Sequence, residues 1–306
     1  MAVLNITPDS FSDGGRFMNA AAAIRHGLLL AKQGADWIDV GGESTRPGAQ
    51  PVPAAEELRR VLPVIKGLRL RLPDVPISID TTKSEVAAAA LDCGANIIND
   101  VSGLRMDPDL ATVACRYRAP LILNHMRGRP ATMQTAPFAR HVWPEVLQGL
   151  RRSIAHAVRA GVNKHQLIVD PGLGFGKSRH QNYQLLASLE RLQSLGLPVL
   201  VGASRKSFIQ AAVAIPLQTT PAAAAGGRAE VWPVCASLRK NQPCAAAESA
   251  AANATTLDFG DAAAVVAAAM HGAHLVRVHQ VPGAVAALRV ADAILASIPR
   301  RGSRGA

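Results

Sequence analysis

Eight short apolar runs recur along this chain, each ending in a polar or glycine-rich cluster and each separated from the next by a stretch of helical character. They cover residues 2–6, 37–40, 76–80, 95–99, 121–124, 166–170, 198–202 and 274–279. Runs this short are read as buried strands rather than helices. The intervening stretches carry a different period. Leu58, Val61, Leu62, Ile65 and Leu68 fall at spacings of three and four, which predicts an amphipathic helix over 54–70. Similar periodicity covers 20–33 and 83–92. Alternating strands and helices predict a parallel sheet. An open doubly wound sheet fits that pattern, but eight units in one chain favour closure into a (β/α)8 barrel. Such a barrel needs about 250 residues, and the chain has 306.

One interval breaks the rhythm. Asn5 to Asp39 is 34 residues and Asp170 to Lys206 is 36, whereas Lys206 to His279 is 73. The excess lies in 211–260, which is rich in alanine, and is expected to be a flexible low-complexity insertion before the eighth strand. The barrel is then assigned to 1–299, with 300–306 as a disordered basic tail. The first strand starts at Ala2 with nothing ahead of it to close a barrel floor. This gives the expectation that the chain is cut from a longer one or has a misassigned start.

Composition narrows the function classes. Aromatics are 4% against 49% hydrophobic residues, so the core must be built from Ala, Leu, Val and Ile. The net charge is +11, but Lys and Arg are scattered, which argues for a basic protein with an anionic substrate rather than a nucleic-acid binder. Cys93, Cys115, Cys235 and Cys244 form no C-x-x-C pair and have no His cluster beside them, so a zinc site or disulfide framework is not expected. No apolar run reaches membrane-spanning length, and no signal peptide is recognised.

In a barrel of this kind the chemistry gathers where strands end. The strand-end set is Asn5, Asp39, Asp80, Asn99, His125, Asp170, Ser204-Arg205-Lys206 and Arg277-Val278-His279. Thr7–Gly15, with Asp9, Asp13 and a glycine pair, follows the first strand and reads as a mobile lid. Gly41–Gly48 follows the second. Its glycines let backbone N–H groups approach an anion, and Ser44, Thr45 and Arg46 add donors. Asp80, Asn99 and Asp170 end three different strands. Each alone could be a helix cap or a turn starter, but together they suit a shared pocket. A carboxylate accepts two parallel N–H bonds from a guanidine-like ring edge, and an Asn side chain both donates and accepts beside a lactam. Lys206 opens a helix at the mouth, and Arg277 and His279 alternate along the last strand and share a face. Met126 and Met133 read as apolar packing. The set suits a ligand with a nitrogen-rich ring at one end and phosphates at the other.

These motifs, one after every strand and in order, resemble those of the dihydropteroate synthase family. The stretches that carry the resemblance are 4–15, 39–48, 78–83, 99–103, 125–128, 170–177, 204–208 and 277–279. The resemblance implies a TIM barrel that condenses (7,8-dihydropterin-6-yl)methyl diphosphate with 4-aminobenzoate in folate biosynthesis, a sulfonamide target. It implies that Asp80, Asn99, Asp170 and Lys206 hold the pterin, and that Thr45, Arg46, Arg277 and His279 contact the diphosphate. Asn5 would help bind Mg2+. Phe11, Pro47, Phe175, Lys206 and Ser207 would frame the aminobenzoate. Asp13 joins Asp80, Asp170 and Lys206 in the catalytic set. No protein nucleophile is required, since pyrophosphate departure can leave a cation delocalised into the ring.

Three positions depart from the family pattern: His279-Gln280 in place of His-Asp, Asp258-Phe259-Gly260-Asp261 before the eighth strand, and Asn124 where an apolar residue is common. A pterin-binding methyltransferase domain and a non-catalytic degenerate barrel are the alternative readings. The resemblance also implies a homodimer, while the scattered charge and the lack of a membrane-length run give no expectation of a nucleic-acid or membrane partner. It further implies a cytoplasmic location if the source is bacterial, or a mitochondrial one with fusion to a pterin pyrophosphokinase if it is a plant or alga.

Overall fold

Side chains on a strand alternate between two faces, and that period sorts this barrel into an inside and an outside. The computed structural model describes residues 1–6, 16–45, 48–129, 132–133, 140–214 and 250–298. The elements run β1 (Ala2–Asn5), α1 (Arg16–Lys32), β2 (Ile38–Gly41), α2 (Ala54–Arg69), β3 (Ile77–Asp80), α3 (Ser84–Asp92), β4 (Ile97–Asp100), α4 (Leu110–Tyr117) and β5 (Leu121–Asn124). They continue with α5 (Val142–Arg159), β6 (Leu167–Asp170), α6 (Arg179–Leu186), β7 (Leu200–Val201), α7 (Ser207–Val213), α8 (Ala250–Met270), β8 (Leu275–Val276) and α9 (Val281–Ser297).

Strands β1 to β6 form one parallel sheet in sequence order, and β7 pairs with β8. Single parallel bridges, Val169 to Val199 and Ala2 to Val278, join the two sheets on both sides and close the barrel. The closing hydrogen bonds include Val3 N to Val278 O and Val169 N to Pro198 O, both 2.9 Å. The last two strands are shorter than the expected 198–202 and 274–279. Pro198 brings no N–H to the ladder, and the Val199 N–H is donated to the His274 ring at 3.1 Å instead of to a neighbouring strand.

The outward positions Ile38, Val40, Ile79, Ile98, Leu121, Leu123 and Val169 are buried against the helix layer. Helix α2 shows why that layer forms. Its apolar stripe buries Val61, Val64, Ile65 and Leu68, Glu56 and Glu57 sit in its first turn, and Lys66 and Arg69 sit in its last, each sign matching the helix dipole. Helix α6 starts with a reciprocal capping box between Ser178 and Gln181. The inward positions fall into two layers. Met1, Ile97, Ile122, Ile168 and Leu200 form a separate apolar cluster, with Trp37 and Leu275 packed on it. This is the barrel floor. Two positions along, the inward residue is polar on five of these strands: Asp39, Asn99, Asn124, Asp170 and Arg277.

Of the expected insertion 211–260, residues 211–213 finish α7 and 250–260 belong to α8, which packs against α7 and α9. Residues 215–249 and the tail 300–306 lie outside the described residues. Replacing Ile122, which is fully buried in the floor, with Ala is expected to lower the unfolding free energy by about 2–5 kcal/mol. Urea denaturation checks it; a loss below about 1 kcal/mol would show that the floor is not a packed layer.

Candidate functional site at the barrel mouth

The polar inward layer is built around one cation. Arg277, two residues beyond the floor residue Leu275, donates from Nε to Asp39 Oδ2 at 2.6 Å and from a terminal nitrogen to Asp80 Oδ2 at 2.7 Å. Asp39 is fully buried and is also held by Ser78 Oγ at 2.6 Å and Asn99 Nδ2 at 3.2 Å. Strands β2, β3, β4 and β8 are thereby tied together inside the barrel. Burial works against the charge on Arg277, but Asp39 and Asp80 outweigh it and raise its pKa. Asp80 shares that partner and still feels its burial most. Its carboxyl is pushed up to about 7, with Arg277 opposing the rise and Asp39 adding to it. Its other oxygen, Oδ1, is buried and has no hydrogen-bond partner. A buried acceptor left without a donor costs about 1–3 kcal/mol, so Oδ1 is the oxygen on Asp80 that can gain from a ligand N–H.

Asp170 ends β6 at the same mouth and is likewise buried; burial raises its pKa, with Lys206 the main opposing charge. Its Oδ1 accepts from Gly172 N at 2.6 Å, so it also turns the loop that follows. That loop cannot be built from other residues. Gly172 has φ +69°, and a Cβ there would lie 1.9 Å from the His125 carbonyl oxygen. Lys177, only 4% exposed, donates to the carbonyls of His125, Gly172 and Phe175 at 3.0, 2.8 and 3.1 Å. Burial lowers its pKa to about 7. It is a tether for the loop, not a ligand donor.

Lys206 caps the start of α7, donates to the Leu173 carbonyl and stands 4.3 Å from the centre of the Phe175 ring. Burial brings its pKa down to about 8, with Asp170 and Asp80 pulling the other way. Ser207 beside it is exposed. Arg205 precedes it with φ +58°, in the left-handed region. That turn is held by Asp261 on α8, whose two oxygens accept from Arg205 N at 3.0 and 3.1 Å. Asp261 also accepts from Ser204 Oγ at 2.7 Å, and Ser204 Oγ lies 3.1 Å from His279 Nδ1.

Around Asp80 the second strand loop supplies Glu43, Ser44 and Thr45, which line a small hollow with Thr81, Thr82, Val101 and Met106. The base of that loop is pinned by Lys83, which pairs with Glu43 and, at 2.5 Å, with the fully buried Glu57. Asn5 ends β1 in the same layer; a Cβ placed on Gly41 would lie 3.5 Å from both Asn5 Oδ1 and Asp80 Cβ. Asn5 Oδ1 is a hard oxygen donor of the kind Mg2+ accepts alongside phosphate oxygens and water. Among the described residues, no group of three His, Cys, Asp or Glu could hold a metal.

The mouth thus gathers Asn5, Thr45, Asp80, Asn99, Asp170, Phe175, Lys206, Ser207, Arg277 and His279. Phe11, Asp13, Arg46 and Pro47 lie outside the described residues. One strand-end expectation fails. His125 does not face the mouth, because the inward position on β5 is Asn124, and the next residue points to the opposite side. A Cβ on Gly149 of α5 would meet the His125 ring at 2.4 Å. Burial, with Lys177 and Arg105 nearby, drives the His125 pKa down to about 2. Neither Asp80 nor Asp170 is a helix cap; α3 is entered through Lys83 with no side-chain cap. A cavity of about 580 Å3 lies on this flank, between the loops after β4 and β5 and helix α5. Among the described residues its wall carries Arg105, Arg127, Arg152 and Arg159, with Glu145 as the one acid. It lacks the paired carboxylates that a guanidine-like ring edge requires.

The comparisons with known proteins agree with this geometry. A family model described as pterin binding enzyme matches residues 1–279. The dihydropteroate synthase of Escherichia coli (strain K12) is 41% identical over 297 residues, 97% of this chain and 92% of its own. The chain belongs to the dihydropteroate synthase family. That of Synechocystis sp. is 48% identical over 209 residues, 68% of this chain and 72% of its own. The solved structure of Xanthomonas albilineans dihydropteroate synthase with 4-aminobenzoic acid matches with a TM-score of 0.78 at 41% identity, covering 98% of this chain and 93% of that one. The structure of the Yersinia pestis dihydropteroate synthase with a sulfonamide drug complex has a TM-score of 0.79 at 36% identity, covering 97% and 94%. A Halobacterium salinarum relative, 41% identical over 293 residues, is a probable bifunctional folylpolyglutamate synthase/dihydropteroate synthase, of which this chain spans 31%.

Within this family site, Arg277 holds two buried acids at once. Arg277→Met leaves both without a cation and is expected to cost about 2–3 kcal/mol, below the range for a sealed pair because 21% of the Arg277 side chain reaches solvent. Thermal or denaturant unfolding checks it; unchanged stability would show that the two carboxylates do not depend on Arg277.

Proposed function

We propose that the protein condenses (7,8-dihydropterin-6-yl)methyl diphosphate with 4-aminobenzoate, giving 7,8-dihydropteroate and pyrophosphate. The observation that carries this reading is the unpartnered Asp80 Oδ1 at a mouth shared with Asp170, Asn99, Lys206 and Arg277. Asp80 and Asp170 accept N–H bonds from the pterin edge, Asn99 pairs with its amide, and Lys206 donates to a ring carbonyl or nitrogen. Thr45, Arg46, Arg277 and His279 take the diphosphate. Asn5 offers an oxygen to Mg2+, which supplies positive charge to the departing pyrophosphate when bound. Phe175 and Ser207, with Phe11, Pro47 and the Lys206 stem, frame the aminobenzoate, and this is the pocket a sulfonamide would share.

The bond from the methylene carbon to the diphosphate oxygen breaks, and both electrons leave with the oxygen. The carbon cation is spread into the pterin, where the Asp80 and Asp170 carboxylates stabilise it. The arylamine nitrogen attacks that carbon and then releases a proton; Asp13 is the group assigned to that stage. A homodimer is proposed from the family resemblance and from the apolar side chains exposed on α8 and α9: Phe259, Val290 and Ile294. No helix among the described residues is long and apolar enough to cross a membrane. A cytoplasmic location rests on the bacterial relatives. The fusion seen in the Halobacterium relative joins a folylpolyglutamate synthase, not a pterin pyrophosphokinase.

Pyrophosphate release should require both substrates, and Asp80→Asn or Asp170→Asn should lower kcat/KM for the pterin diphosphate by about a hundredfold or more. Release with the pterin diphosphate alone, or undiminished turnover in both variants, would contradict the assignment. The ionisations set the pH response. Burial pushes Asp80 up to about 7, and its ionised form is the stronger acceptor of ring N–H groups, while Lys206, brought down to about 8, loses its positive charge and becomes a weaker donor above that pH. Affinity for a pterin lacking the diphosphate should therefore rise through pH 7 and fall above pH 8, measured by calorimetry. Flat affinity from pH 5.5 to 9.5 would exclude these two groups as the ring's partners.

A further inference from the structure

Three side chains from separate elements form a hydrogen-bonded chain beside the diphosphate end of the mouth. Asp261 lies on α8, Ser204 follows β7, and His279 follows β8. Asp261 is 5% exposed and Ser204 6%, so the chain runs through the interior. Its direction follows from what each atom can do. A carboxylate oxygen only accepts, so the Ser204 hydroxyl must spend its single proton on Asp261 Oδ2, at 2.7 Å. Ser204 Oγ then has only lone pairs left. His279 Nδ1, at 3.1 Å, and the His279 backbone N–H, at 3.3 Å, must both donate to it. The ring proton is thereby fixed on Nδ1, and whatever His279 offers a ligand it offers through Nε2. The same carboxylate accepts from Arg205 N, in the left-handed turn immediately before Lys206.

We propose that Asp261 is a positioning residue for the reaction: through Ser204 it sets the tautomer and orientation of His279 toward the leaving diphosphate, and through the Arg205 amide it holds the turn that presents Lys206. This rests on the functional reading given above. Asp261 touches neither substrate; it is the buried anion on which the two ends of the site are jointly mounted. Other groups in this corner are accounted for differently. Arg277 is oriented by Asp39 and Asp80 rather than by Asp261, and the Lys206 ammonium by the Leu173 carbonyl and the Phe175 ring, each with a donor left for a ligand.

The test combines ring nitrogen NMR on the full chain labelled with 15N-histidine, His279 being assigned by its loss in His279→Gln, with steady-state kinetics. The wild type should carry the His279 proton on Nδ1. In Asp261→Ala the Ser204 hydroxyl is released to donate to the ring, and the proton should move to Nε2. Asp261→Asn keeps an acceptor for Ser204 and should restore the Nδ1 signal. Ser204→Ala cuts the chain but leaves Asp261 on the Arg205 amide. It should lower kcat/KM for the pterin diphosphate about tenfold, while affinity for a pterin without the diphosphate changes less than about twofold. Asp261→Ala should weaken both, since it also loosens the Lys206 turn.

An Nε2 proton in the wild type overturns the proposal. So does a Ser204→Ala variant with unchanged kcat/KM, or an equal loss in binding of both pterins by that variant. A wild type that shows the Nδ1 proton and yet releases no pyrophosphate overturns the functional reading and leaves the hydrogen-bond chain standing. The two failures are therefore distinguishable.

Discussion

The site depends on one buried cation bridging two carboxylates from strands distant in sequence. Arg277 reaches Asp39 and Asp80 across 238 and 197 residues of chain. It does so because β8 is carried round to lie beside β1, and that requires the closed barrel. Charge neutralisation inside and hydrogen bonding between strands thus enforce the same geometry. A barrel left open at β8 would strand two acids in an apolar interior, which costs several kcal/mol per charge.

The arrangement is poised between stability and binding. Asp39 holds a donor on each oxygen, from Ser78 on one and from Arg277 and Asn99 on the other. Asp80, one strand over, receives Arg277 on one oxygen and nothing on the other. The acid with donors on both oxygens belongs to the scaffold, and the acid with a donor on one is left for a ligand. Lys177 and Lys206 show the same division. Lys177 is locked onto three carbonyls, whereas Lys206 sits at the mouth on a single carbonyl and an aromatic face.

Much of this was legible in the sequence. The eight runs and their intervals identified the barrel because strands and helices bury apolar side chains with different periods. The mouth residues were legible for the same reason: a polar residue closing an apolar run has little place to go except the end of a strand. What the sequence did not disclose is pairing. Nothing in Asp39 or Arg277 separately says that they share a hydrogen bond, and nothing distinguishes Lys177 as a tether from Lys206 as a donor. His125 was misplaced by assuming that every strand-end residue faces inward, when the two-residue period assigns that position to Asn124. Asp261 was visible only as a departure from a family pattern. Its contacts to Ser204 and Arg205 span 57 and 56 residues and exist only once α8 has packed beside α7.

The central claim is that the buried carboxylates of the inward layer read a pterin ring edge. The most direct measurement is a crystal structure of the protein with a pterin bound. The account predicts a ring N–H group within hydrogen-bond distance of Asp80 Oδ1, with Asp170 and Asn99 on the same ring and the Asp39–Arg277 pair undisturbed. A pterin seated instead in the arginine-lined cavity beside α5, with Asp80 Oδ1 still lacking a donor, would contradict it.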